Sequence, residues 1–78
     1  MNVTELIAKL QQMPPDAVVL LDGYEGGMCH VECVAQSVAQ LNVRDDSWVG
    51  PHEVERQHYH IPEGAAKVHC VYIGRNDL

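Results

Sequence analysis

This chain has no phenylalanine, and its only large rings are Trp48, Tyr24, Tyr59 and Tyr72. Each of those rings carries a polar atom, so burying one obliges the fold to find it a hydrogen-bond partner. Basic residues are scarce as well: five Lys and Arg stand against eleven Asp and Glu, for a net charge of −6. That balance argues against direct binding to nucleic acid or to an anionic membrane surface, both of which need an excess of cations. Long apolar runs are missing. No segment approaches the roughly 20 apolar residues that cross a bilayer, and Met1–Glu5 has no basic n-region of a secretory leader. The three cysteines, Cys29, Cys33 and Cys70, are an odd set with no C-x-x-C spacing. A secreted disulfide scaffold carries an even number. A reducing, cytoplasmic setting is the expectation.

The 78 residues suit one domain, 1–78, with no room for a second. A core of this size supplies only about 3–5 kcal/mol, and small domains often add a metal, disulfides or a partner subunit. Val3, Leu6, Ile7, Leu10 and Met13 recur at three- and four-residue steps and predict a helix over 3–13. Asn2 or Thr4 can cap it, with Glu5 near the positive end of its dipole. Pro14-Pro15 stops the helix and Pro15-Asp16 reads as a turn.

Residues 17–22 are short, apolar and β-branched, and predict a buried strand. Gly23-Tyr24-Glu25-Gly26-Gly27 follows as a loop whose glycines can take positive φ. From 28 to 43 the alternation of Val31, Cys33, Ala35, Ser37, Ala39 and Leu41 favours a long or bent strand. A helix over 32–41 competes, because Val34 and Val38 break the alternation. Residues 44–64 read as a long polar loop punctuated by Gly50-Pro51 and Pro62-Glu63-Gly64, and loops of that length are usually functional. Residues 67–73 predict the last strand. The expected fold is α+β: one N-terminal helix packed on a small, mainly antiparallel sheet of about three strands.

Three stretches carry a resemblance: Glu5–Leu10, Pro14-Pro15-Asp16-Ala17-Val18-Val19, and Gly23–Gly27. With Trp48-Val49-Gly50-Pro51-His52 and Val71-Tyr72-Ile73-Gly74, the chain resembles a family of small uncharacterised proteins of phages, prophages and bacteria. Members often carry an acidic pair after the double glycine, where this chain has Cys29-His30. The resemblance implies a small accessory protein and no particular reaction.

Candidate sites follow from residue chemistry. His58 and His60, an i, i+2 pair, would face one side of a strand, and with Cys29 and Cys33 they offer the imidazole and thiolate ligands that zinc prefers. Against this, the spacings are not those of a zinc module, and cysteines of this kind are often small buried hydrophobes. Cys29 beside His30 invites a thiolate nucleophile, but neighbours on a strand point to opposite faces. The glycine loop lacks the following Lys and helix of a phosphate cradle, and reads better as a tight connection with Tyr24 and Glu25 at its tip. Trp48 is either a lid over the core, the favoured reading in a chain without Phe, or an interface anchor. Asp45-Asp46 could meet a hard cation but reads better as a solvated turn.

No catalytic constellation emerges. The leading expectation is therefore a non-enzymatic protein that binds another protein through Tyr24, Glu25, Trp48 and His52, with acidic residues steering the encounter. A small zinc-binding domain is the alternative. Self-association is a further expectation, since a three-stranded sheet has two edges and a small core gains from burial across a homodimer.

Overall fold

The structure, a computed structural model, describes residues 1–45 and 48–78. It is α+β, with one N-terminal helix and two small antiparallel sheets. The chain divides into two compact units, Met1–Val31 and Glu32–Leu78.

In the first unit, α1 spans Val3–Leu10. Its start is set by a reciprocal cap: Glu5 N donates to Asn2 Oδ1 at 2.9 Å, and Asn2 N donates to Glu5 Oε1 at 3.2 Å. Two of the helix's otherwise orphaned donors are thereby satisfied. After Pro14 the chain reverses in the anticipated turn, where Ala17 N donates to Pro14 O at 3.1 Å. The apolar run beyond it is a strand only over β1, Leu20–Asp22, because its antiparallel partner β2, Met28–His30, is equally short. Val18 and Val19 remain unpaired, and both are more than half exposed. No residue of α1 is buried, so its apolar stripe does not form the buried packing on a sheet that its periodicity predicts.

The β1–β2 connection closes with Gly23 N donating to Gly27 O at 2.9 Å. Gly26 and Gly27 take positive φ, as expected of them, but so does Glu25, at 60°. A left-handed non-glycine residue is uncommon and strained. Gly23 serves a different purpose: a Cβ there would sit 2.5 Å from Gly26 O.

The second unit is built on β3, Cys33–Gln40, and β5, Val68–Gly74, paired antiparallel over seven residue pairs from Cys33↔Gly74 to Ala39↔Val68. The segment 28–43 is thus two strands, interrupted at Val31-Glu32, and not a helix. β4, Glu53–Val54, lies on the other side of β3, so the sheet order is β4-β3-β5. The count is five short strands in two sheets where about three were expected in one.

Strand pleating sorts the β3–β5 ladder into two faces. Cys33, Ala35, Ser37 and Ala39 share one face with Tyr72 and Cys70, and all are buried or half-buried. Gly74 is buried on the same face, where a Cβ would run into the Tyr72 ring. The opposite face carries Val34, Val71 and Ile73, which are 69%, 46% and 37% exposed. The core of the described chain is very small: Ala39 and Ile61 are its buried apolar residues.

Candidate functional site

The irregular loop expected over 44–64 is organised, between Asn42 and Tyr59, by two backbone closures. In the first, Val43 N and Arg44 N donate to Pro51 O at 2.7 and 3.2 Å. Asn42, in the left-handed region at φ 57°, starts this excursion, and its N–H donates to His52 Nδ1 at 3.0 Å. In the second closure, Arg56 and Tyr59 exchange both backbone hydrogen bonds, at 2.9 and 3.1 Å, around a two-residue turn.

The first closure places Trp48 on an outward excursion, where it is 83% exposed. The reading of Trp48 as a lid over the core is thereby overturned, since the loop is shut at its base by backbone bonds and needs no ring beneath it. Tyr24, on the first unit's hairpin, is 77% exposed. Glu25 beside it holds the strained φ described above. Two aromatic side chains thus stand on turns, each with its base closed by backbone hydrogen bonds. His52 is exposed too, and its bond to Asn42 ties it to the base of the Trp48 excursion.

Between the two closures lies an open cleft of about 460 Å³, lined by Arg44, His52, Glu53, Arg56, His58 and Tyr59 among others. Arg44 Nη2 donates to Glu53 Oε2 at 2.5 Å, and Arg56 Nη2 lies 3.6 Å from Glu53 Oε1. The hydrogen bond from Arg44 is the largest influence on Glu53 and holds its carboxyl below the ordinary 4.5; partial burial works against this, and the charges of Arg44 and Arg56 add to the lowering. Tyr59 Oη donates to Gln40 Oε1 at 3.4 Å, a long contact that brings the turn over the end of β3. Nothing in the sequence marked Arg44, Glu53 and Arg56 as a set. Only Glu53 and Arg56 have a local spacing, and Arg44 joins them through the loop closure.

The residues considered as zinc ligands fall on different elements. His58 sits in the turn between Arg56 and Tyr59, so it does not alternate along a strand with His60, and the i, i+2 geometry does not form. The His60 side chain is 79% exposed, with Nδ1 3.9 Å from Glu55 Oε1. Cys29 belongs to β2 in the first unit and Cys33 to β3 in the second. Among the described residues no three His, Cys, Asp or Glu side chains gather around a point that could hold an ion. Asp46, half of the acidic pair considered for a hard cation, lies outside the described residues.

The first unit also carries an apolar groove of about 390 Å³, walled by Leu10, Met13, Pro14, Pro15, Val18 and Val19 among others. No helix among the described residues is long and apolar enough to cross a membrane. No protein-family model matches this chain, and no curated protein or solved structure matches it either.

Proposed function

We propose that the chain is a non-enzymatic accessory protein, of the kind found in phages and prophages, that acts by binding another protein. The observation that carries this reading is the exposure of Trp48, at 83%, on a loop closed by backbone hydrogen bonds. Tryptophan is costly to leave in water and is enriched where binding energy concentrates. A partner that covers this ring removes a large apolar area from water, which favours affinity. Tyr24 and the apolar groove of the first unit supply further surface of the same character. The family resemblance supports an accessory role, and the acidic balance suits a partner with a basic surface.

The test starts with capture of a stoichiometric partner from bacterial lysate by the tagged chain, with metal content read by native mass spectrometry. Titration of that partner into wild type, Trp48→Ala and Tyr24→Ala follows. Trp48→Ala is expected to weaken binding by about 2 kcal/mol or more, the scale of a hot spot. Unchanged affinity in Trp48→Ala, or a stoichiometric zinc ion with no protein partner, would overturn the reading.

A further inference from the structure

The two edges of the β4-β3-β5 sheet are treated in opposite ways. β4 is two residues long, contains Glu53, and is flanked by the Arg44 and Arg56 guanidiniums. Shortness and charge are the usual means of blunting an edge. β5 has neither. It is seven residues long, Val-His-Cys-Val-Tyr-Ile-Gly, with no proline and no Asp, Glu, Lys or Arg. Its full length pairs one-to-one with β3, so no bulge interrupts the row of N–H and C=O groups along its outer edge. Among the described residues no strand occupies that side.

From these observations we infer that β5 is the seam of a homodimer, pairing antiparallel with β5 of a second copy. The two three-stranded sheets then become one sheet of six strands.

Charge selects a second copy as the occupant. Two chains of net charge −6 repel unless they meet where acid is absent. No Asp or Glu occurs from Gly64 to Asn76, β5 itself and β3 behind it carry no charged residue, and the charges of that stretch, Lys67 and Arg75, stand just beyond the two ends of β5. Depletion of charge is the compositional mark of an interface core. Symmetry is also satisfied. A two-fold axis perpendicular to the sheet makes the same segment complementary to itself. It keeps Val71 and Ile73 of both copies on one face beside Val34, so the exposed stripe becomes continuous across the seam.

This self-pairing goes beyond the partner reading and is independent of it, since Trp48 lies outside the seam.

The experiment is sedimentation equilibrium of the full chain across a concentration series, with amide hydrogen exchange read by NMR. A species of twice 8.7 kDa is expected. All β5 amides should be protected, including the alternate ones that face away from β3, and those should lose protection on dilution. Val71→Lys should raise the dimer dissociation constant at least about tenfold, because it sets like charges close together across the seam. Val18→Lys, in the first unit, should leave it unchanged. If Val71→Lys does not fold, exchange in the unmodified chain still decides. A monomer at every concentration overturns the inference. So does a dimer whose outward β5 amides exchange freely, since its interface then lies elsewhere.

Discussion

The two units of this protein hold their shape by different means. Met1–Val31 contains no buried residue: it relies on a helix cap, a proline-initiated turn and a three-pair hairpin, all of them local. Glu32–Leu78 holds both buried apolar residues, a seven-pair ladder and hydrogen bonds that reach across many residues, such as Ser37 Oγ to Glu55 O at 3.1 Å. Local bonds form quickly but add little stability, since the same groups are satisfied by water in the unfolded chain. Apolar burial is the term that offsets chain entropy. The second unit should therefore carry most of the resistance to unfolding, while the first gains most from anything that covers it.

The sharpest way to break this comparison is to truncate matched side chains in the two units. Ile61 is 5% exposed and Ile7 is 50% exposed. Ile61→Ala removes buried methyl groups and leaves a cavity, which typically costs about 2–5 kcal/mol. In so small a domain a loss of that size leaves much of the population unfolded at 25 °C. Ile7→Ala should cost under about 1 kcal/mol, since most of the side chain is already in water and alanine favours the helix. Urea unfolding followed by circular dichroism measures both. Equal losses would mean that α1 is covered in solution, and the contrast between the units would disappear.

How much of each unit could be read from the sequence follows the same division. The helix start, its Asn2 cap and the turn before Ala17 depend on neighbours within four residues and are found. The helix expected over 3–13, however, ends at Leu10 with Gln11 as its C-cap, short of the Pro14-Pro15 stop, its last turn loosening into the bonds from Gln12 N to Lys9 O and Met13 N to Leu10 O. The alternation from Cys33 to Ala39 and the final strand also hold, because a pleated strand repeats every two residues. What escaped is non-local. The break at Val31-Glu32 lies inside an unbroken alternation of Val31 with Cys33, so no local signal marks it. β4 is a strand only because Gln40 and Ala39 lie opposite it. The Arg44–Glu53–Arg56 set and the outward Trp48 both depend on the closure of residues 43 and 44 onto Pro51. The strand geometry assumed for His58 and His60 is absent for the same reason, since a tight turn stands at His58.

A smaller effect tests the local side of the comparison. Asn2→Ala removes the acceptor for Glu5 N and should cost about 1 kcal/mol of helix stability. Because α1 has no buried residue to hold it, the loss should appear as reduced helicity at 222 nm, with little change in exchange protection of β3 and β5. Loss of protection in those strands would show that the units unfold together.

The smallest effect concerns the ion set of the second unit. Arg44 and Arg56 hold the Glu53 carboxyl below its ordinary 4.5 in the folded chain. A carboxyl with a lowered folded pKa binds its proton more readily when unfolded, so it stabilises the fold above 4.5. That contribution is lost as pH falls through the lowered folded value. Both arginines are more than one-third exposed, at 37% and 46%. Solvent screening therefore limits the effect to about 1 kcal/mol or less. Glu53→Gln should be less stable than wild type at pH 7 by that amount. The gap should shrink with 0.5 M salt at pH 7 and close as both proteins are acidified below 4.5. Urea midpoints for the pair at pH 7, 5, 4 and 3 measure it. A gap that stays constant into acid would mean that Glu53 acts through packing, and that the two arginines contribute no pH-dependent stability at this position.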